Sequence, residues 1–359
     1  MKAFLSATVA LALALCAPAL AETPKKKKNA KEPPAATQPV APAPAAGPLG
    51  AEALAKALGA YAGFQADVTT LRDAPPVKTA ADVEKALDVV ASHNSKALAR
   101  GWIAYGAAVA ARSPAFSEEM RKVAAAHGQA KAITWFSTIP YYAKSLNGGD
   151  EATRYVLAAA AADADRVDAV GDKHKSQSLD LAKAAWAKKR LSLDSGKLRY
   201  KRLIDLGRSE PRALPPELSA RLVSAPASTL DPSGLGGRLF WETSLPATPT
   251  TPAGAATFTP EVQWNTNPEY ASALDAMLSL AALQVIGAAD TMPAEQLDKL
   301  LDNKATQDCF ASAAQSFSQC ASAAATSSEN LACLGQEALK TRAQCIRKVV
   351  GGRASVAQK

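Results

Sequence analysis

The stretch CFASAAQSFSQCASAAATSSENLACLGQEALKTRAQC, residues 309–345, carries four of the five cysteines of this 359-residue chain. Their spacing is C-x10-C-x12-C-x11-C. Thr326 and Glu329 form a capping-box pattern near the middle, which predicts that one helix ends before Thr326 and that a second begins there. Gly351 and Gly352 follow as a predicted stop for the second helix. The stretch therefore predicts two helices joined by a short turn.

Helix geometry restricts how the cysteines pair. Cys309 and Cys320 share the first predicted helix, while Cys333 and Cys345 share the second. At ~1.5 Å per residue, the two members of each pair lie about 16 to 18 Å apart, whereas a disulfide needs Cα atoms within ~7 Å. Because a short turn returns the second helix antiparallel to the first, the pattern predicts the nested disulfides Cys309–Cys345 and Cys320–Cys333.

Rotation about the helix axis leaves one difficulty in this pairing. Eleven residues at ~100° each return nearly to the same face, but the twelve residues from Cys333 to Cys345 overshoot by about a third of a turn. We therefore expect the second helix to bend, or one of its cysteines to lie toward the edge of its face. Zinc is the alternative use, but four-cysteine zinc sites usually place ligands in close C-x2-4-C pairs. No metal or cofactor is predicted.

The arrangement of two helices, each with a pair of cysteines, is similar to that of the twin-cysteine helical hairpins called CHCH domains. Those domains repeat C-x9-C in both helices, whereas the intervals here are ten and eleven residues. The resemblance covers only residues 309–345. It implies a hairpin topology and carries no function.

The N-terminus has the features of a secretory signal peptide over residues 1–21. Lys2 supplies the positive start, residues 4–15 the apolar core, and Ala-Leu-Ala ending at Ala21 the cleavage signal. We predict cleavage near Ala21 and a periplasmic or secreted location in a bacterium. Cys16 raises the alternative of a lipoprotein, but Leu15 precedes it where that signal normally has Gly, Ala or Ser.

Residues 22–48 are rich in Lys, Pro and Ala and predict a disordered tether. Such a stretch cannot bury enough apolar surface to offset its chain entropy. Two interpretations of its basic part are open: a solvated spacer, or an arm that contacts anionic lipid headgroups or a cell-wall polymer. The candidate contact residues are Lys25, Lys26, Lys27 and Lys28.

The rest of the chain predicts an all-α fold, because alanine and leucine dominate and aromatic residues make up only 6%. Thr79 to Asp82 forms a capping box, and Ser113-Pro114 predicts another helix start. Gly171 and Gly196 are expected to interrupt helices. The predicted order is an N-terminal helical bundle (49–206), a Pro/Gly-rich connector (207–262), a helical domain ending in the four-cysteine hairpin (263–352) and a disordered tail (353–359).

An apolar run over residues 271–288 has the length of a membrane span. Asp275, Ser279 and Gln284 interrupt it, so we predict a buried core helix and no transmembrane span in the mature chain.

Familiar catalytic strings are absent: the sequence has no H-E-x-x-H, G-x-S-x-G, G-x-x-x-x-G-K-[ST] or G-x-G-x-x-G. Asp163, Asp165, Asp168 and Asp172 lack the glycine and closing glutamate of a calcium loop, so we place them on a helix with Arg166 nearby. No catalytic residue is predicted.

The densest aromatic cluster surrounds Pro140. It predicts either a ligand cleft, for instance for a sugar ring, or a core where a broken helix meets its neighbours. Its members are Trp135, Phe136, Tyr141 and Tyr142.

Two further groups of polar residues have plain structural interpretations. His127 comes just before a predicted helix end, and Glu118 and Glu119 are too far from it along a straight helix for a catalytic pair. The basic segment 188–202, interleaved with leucines, predicts a solvated amphipathic face, with contact to phosphate-bearing envelope material as the alternative. Export argues against a nucleic-acid partner.

The leading functional hypothesis is an exported, non-enzymatic structural or interaction protein of the bacterial cell envelope. Its expected partner is another envelope protein or an anionic envelope polymer. One alternative is an envelope enzyme acting on peptidoglycan or polysaccharide through Glu118 or Glu119 and the aromatic cluster. Another is direct binding to an anionic membrane or cell-wall polymer through the lysine arm.

Overall fold

The computed structural model describes residues 50–211 and 264–353. The predictions made for the signal peptide, for the tether with its four consecutive lysines, for most of the connector and for the C-terminal tail lie outside these residues.

The first described part is entirely helical apart from its turns. Its helices are α1 (Gly50–Asp73), α2 (Ala80–Ala91), α3 (Ser95–Ala110), α4 (Pro114–His127), α5 (Gln129–Thr138), α6 (Tyr142–Ser145), α7 (Gly149–Leu181) and α8 (Leu193–Arg208).

The second described part begins and ends with a short strand and is otherwise helical, so the all-α prediction is confirmed. Its elements are β1 (Trp264–Thr266), a 3₁₀ turn (Pro268–Tyr270), α9 (Ala271–Val285), α10 (Ala294–Leu301), α11 (Lys304–Ala323), α12 (Ser327–Cys333), a π-helix (Leu334–Lys340), α13 (Thr341–Arg347) and β2 (Val350–Arg353).

Side-chain caps fix several helix starts as the sequence predicted. The Thr79 hydroxyl accepts from the Asp82 amide at 3.2 Å, and the Asp82 carboxylate accepts from the Thr79 amide at 2.9 Å. Ser113 caps α4 ahead of the proline at its first position. Thr326 accepts from the Glu329 amide at 3.2 Å and starts α12. These bonds satisfy amides that have no partner inside the helix.

Helix α3 lies at the centre of the fold, and almost every residue from Leu98 onward is buried. A helix buried all round must present small side chains where neighbours approach. A Cβ on Gly101 would lie 2.5 Å from the Ala57 carbonyl oxygen, which shows how closely α1 approaches α3. Trp102 and Tyr105 pack their rings against Tyr61 of α1 on the same side.

The predicted apolar core helix is α9, and the prediction is confirmed. Its buried residues pack against α3, so the helices on both sides of the connector contribute to one hydrophobic core. Within residues 50–211 and 264–353, no helix has both the length and the hydrophobicity to cross a bilayer.

The C-terminal hairpin carries the two predicted disulfides. Cys309–Cys345 and Cys320–Cys333 each join Cα atoms 5.7 Å apart and link α11 to the helices that follow it. The nested pairing is confirmed, with the inner bond next to the turn and the outer bond at the open end.

A π-helix resolves the rotational difficulty between Cys333 and Cys345. Its hydrogen bonds run from i to i+5 rather than i+4, so it takes up about one extra residue relative to an α-helix. The twelve-residue interval then rotates like eleven residues at ~100° each, which is the interval between Cys309 and Cys320. Both sulfur pairs therefore face each other, although the expected bend is instead a local widening of the helix over Leu334–Lys340.

Two glycines expected to interrupt helices lie inside them, so that expectation is wrong. Gly171 is in α7, where a Cβ on the facing Gly335 of the π-helix would lie 2.5 Å from the Gly171 carbonyl oxygen. Gly196 is in α8, where its Cβ would lie 2.4 Å from the Ser322 carbonyl oxygen. Both positions serve close approach of two helix backbones rather than a turn.

The predicted stop at Gly351 and Gly352 is a strand instead. Helix α13 ends at Arg347, and β2 then pairs antiparallel with β1, so that Thr266 lies opposite Val350. The pairing joins the start of the second described part to its end.

Deleting Gln336 tests the role of the π-helix. We expect the widened turn to close into an α-helix with little rotation of Cys345, so both native disulfides should still form. Peptide mapping of unreduced protein identifies the bonds.

Deleting the exposed Gln319 from α11 is the matched control. That helix has no widened turn to absorb the change, so Cys309 should rotate by ~100° away from Cys345. Loss of the Cys309–Cys345 bond in both deletions, or in neither, would contradict the conclusion that the π-helix absorbs one residue between Cys333 and Cys345.

Candidate functional site

A cavity of about 290 Å³ lies between α8 and α11. Tyr200 to Arg208 line it along one face of α8, and Ala311 to Ser318 line the opposite wall along α11. The end of α2, the α2–α3 turn and Arg342 of α13 complete the lining. We call this space the Arg342 cavity.

The cavity lies where α8 and α11 part, and small residues form some of its wall. At one end the helices touch: Gly196 packs on the Ser322 carbonyl, and Arg199 Nη1 donates to the Ala321 carbonyl oxygen at 3.0 Å. Farther along, Gly207 and Ala314 face the space with little or no side chain. A gap therefore replaces a packed interface.

Arg342 is a buried cation, only 2% exposed. Its Nη1 donates to the Ala338 carbonyl oxygen at 2.9 Å, and its guanidinium carbon lies 6.0 Å from the centre of the Phe317 ring. Burial lowers the pKa of Arg342 to about 10. The side chain is therefore still positively charged at neutral pH.

A second buried arginine, Arg199, and the partly buried Arg166 both have carboxylate partners. Arg199 contacts Glu84 at 3.0 Å, and Arg166 forms an ion pair with the fully buried Asp163. Within residues 50–211 and 264–353, no carboxylate lies within ion-pair distance of Arg342. A buried charge without a carboxylate partner is costly to a fold.

The rest of the lining adds positive potential and several polar side chains. Arg208 stands exposed at the rim, and Ser95 begins α3, whose positive dipole end faces this region. His93 Nε2 lies 2.9 Å from Asp67 Oδ2. The Ser318 hydroxyl already donates to the Ala314 carbonyl at 2.9 Å.

This arrangement suits binding an anion. Among the described lining residues there is no Asp, Glu, Lys or Cys, and the one histidine contacts an aspartate. The lining therefore offers a fixed positive charge at Arg342.

The aromatic cluster assembles only in part. Trp135 and Phe136 pack against Tyr142 with ring centres 5.6 and 5.7 Å apart, and Phe136 is fully buried. Tyr141 is 65% exposed and makes no ring contact within the described residues. Three of the four residues thus fill space against one another, and a ligand cleft there stays a prediction.

The carboxylates considered for an envelope enzyme do not join that cluster in any described contact. Glu118 is exposed and pairs with Lys122 at 2.7 Å, four residues along α4. His127 stands at the end of α4 and packs edge-on against Trp135.

The aspartates of α7 form structural contacts. Asp163 accepts from the Tyr61 hydroxyl at 2.6 Å and pairs with Arg166, as the helical interpretation predicted. Burial raises the pKa of Asp163, while Arg166 and the Tyr61 bond oppose that effect. Asp163 itself is fully enclosed, and this network ties α1 to α7. Within the described residues no cluster of side chains suitable for a metal ion occurs.

The basic segment around α8 differs from a simple solvated basic face. Leu193 and Leu198 are 88% and 69% exposed, whereas Arg199 is buried against Glu84. These leucines point outward because the opposite face of α8 packs against its neighbours. Gly196 contacts α11, and Arg199 contacts both α11 and Glu84 of α2.

Sequence reasoning missed Arg342, although a signal was present. Arg342 lies three residues before Cys345 and so shares its buried face. The positions three and four residues away are Ala338, Leu339, Cys345 and Ile346, none of which can neutralise a guanidinium. An arginine on a disulfide-bearing face without a nearby acid is a recognisable pattern.

Comparisons with known proteins give no relative: no family model, no curated protein and no solved structure matches this chain.

Replacing Arg342 with Met tests whether the charge stabilises the fold. The variant removes an unpaired buried cation and keeps an unbranched stem, so the free energy of unfolding should rise by about 1 kcal/mol in buffer free of phosphate and carboxylates. Urea unfolding measures the change.

Arg199→Met is the matched control for a paired buried arginine. It removes one of the two arginines that pair with Glu84, the other being Arg202, and takes the donor from the Ala321 carbonyl oxygen. The free energy of unfolding should therefore fall by about 2 kcal/mol. An equal loss in both variants would show that Arg342 is structural.

His174 gives a pH dependence that can be checked separately. It is 3% exposed, and burial, followed by the repulsion of Lys173, lowers its pKa from 6.5 to about 4. Between these values the unfolded chain binds a proton that the folded chain does not, so stability falls as pH falls, by about 3 kcal/mol in total. His174→Gln should remove that part of the pH dependence, whereas His127→Gln should keep it. If the free energy of unfolding changes equally with pH in the two variants between pH 6.5 and 4, His174 is not the source of this pH dependence.

Proposed function

We propose that the protein is an exported, non-enzymatic protein of the bacterial cell envelope that binds an anionic ligand in the Arg342 cavity. The observation that carries the proposal is the buried guanidinium of Arg342, which faces a cavity and has no carboxylate partner among the described residues. A bound anion supplies the missing charge.

The energetics favour a ligand over a purely structural role. A lone buried charge destabilises a fold unless it is paired, and an apolar residue is often an equal or better substitute. Phe317 and the Ala338 carbonyl compensate Arg342 only in part. Groups that destabilise a free protein are typical of binding sites, because the ligand restores the lost free energy.

Export is part of the proposal. The two disulfides of the hairpin are typical of proteins that mature in an oxidising compartment. The predicted signal peptide over residues 1–21 gives the route, and Lys25 to Lys28 would raise the local concentration of anionic envelope material near the fold. N-terminal sequencing of exported protein should begin at Glu22.

The experiment is a thermal unfolding series on protein recovered from the periplasm with both disulfides formed. Acetate, hexanoate and inorganic phosphate are compared with chloride at equal ionic strength. We expect at least one of them to stabilise the native protein, by about 2.7 kcal/mol at 100 times its Kd.

Arg342→Met should abolish this stabilisation. Arg347→Met removes the same charge from α13 but at a partly exposed position paired with Asp165, so it should retain the effect. The proposal would be refuted if none of the three anions stabilised the unsubstituted protein. It would also be refuted if they stabilised Arg342→Met equally.

A further inference from the structure

We infer that the ligand of the Arg342 cavity is a small organic monocarboxylate, with its carboxylate on Arg342 and its apolar part between α8 and α11. The inference rests on the proposed function and adds the chemical class of the ligand. Charge, hydrogen-bond geometry and the shape of the lining each support it.

The charge at the inner end of the cavity matches a single negative charge. Arg342 is the only described cation buried in the lining, because Arg208 stands at the exposed rim. A monoanion neutralises that guanidinium, whereas a dianion would leave one buried charge uncompensated.

The hydrogen bonds left open by Arg342 match a planar carboxylate. Nη1 donates to the Ala338 carbonyl, which leaves the Nε and Nη2 side of the guanidinium without an acceptor among the described residues. Two parallel N–H groups bind a carboxylate with both oxygens. The Ser318 hydroxyl already donates to the Ala314 carbonyl oxygen, so its proton is not available to a further oxygen of a phosphate.

The remaining inner lining is apolar and limits the size of the ligand. Phe317 and Leu203 are almost fully buried, and Ile204 and Ala314 are partly buried beside them. A cavity of about 290 Å³ lies at the lower end of the range for small-molecule sites. It therefore has room for a short alkyl chain or a single ring.

The rim gives such a ligand a way in. Tyr200, Arg208 and Gln315 line the cavity at exposed positions of α8 and α11. The Arg208 charge attracts an anion to the opening, and the deeper Arg342 then holds it.

The test is isothermal titration of the disulfide-bonded protein with acetate, butyrate and hexanoate. Affinity should rise about fourfold for each added methylene, because each CH₂ leaves water for the apolar lining. Hexanamide, which has the chain without the charge, should bind at least tenfold more weakly than hexanoate. Arg342→Met should lose hexanoate binding, and Arg347→Met should keep it.

A second pair of variants tests the position of the apolar part. Ala314→Leu fills the cavity and should weaken hexanoate at least tenfold while changing acetate little. Ser312→Leu adds a leucine at an exposed position of the same helix outside the described lining and should leave both affinities unchanged.

The outcomes separate this inference from the proposed function. Inorganic phosphate or acetate that binds through Arg342 as tightly as hexanoate would overturn the monocarboxylate and leave the anion site standing. Equal binding of hexanamide and hexanoate would overturn it as well. Binding that is indifferent to Arg342→Met for every anion would overturn both.

Discussion

The nested disulfides impose the constraint on which the C-terminal part of the fold depends: two helices must present sulfur to each other at two levels. Cys309 and Cys320 meet this requirement on a regular helix because eleven residues return to one face. Cys333 and Cys345 are twelve apart, and the π-helix between them removes the excess rotation. The same correction determines where every residue of α13 points, Arg342 included.

The widened helix is also supported from outside. Gly335 lies within it and meets Gly171 of α7 backbone to backbone, and Lys340 at its end contacts Asp172 at 2.7 Å. Helix α7 in turn packs on the central α3. A helix with irregular hydrogen bonding persists where its surroundings hold it on more than one side, and here a glycine contact, an ion pair and two disulfides do so.

The features of this fold that depend on nearby residues could be predicted from the sequence. Those that depend on contacts between distant helices could not. The caps at Thr79, Ser113 and Thr326 depend on residues three positions apart, and the disulfide pairing depends on helix length, so sequence reasoning reached both. The sequence showed that Cys345 is rotated too far from the face of Cys333, but it did not predict the π-helix. A bend and a widened turn would each correct this rotation. Glycine that permits a close helix crossing and glycine that ends a helix look alike in a sequence, which is why Gly171 was misread.

The cavity is the feature least visible in the sequence, and the reason is physical. It forms where α8 and α11 part, although the two helices touch at Gly196 and Ser322, so it depends on where the helices cross rather than on any motif. Arg342 joins this space to the hairpin, since the Cys309–Cys345 bond fixes α13 against α11 just beyond it. A buried guanidinium beside an open cavity supports the proposed anion site, because stability alone is served as well by an apolar side chain at the same position.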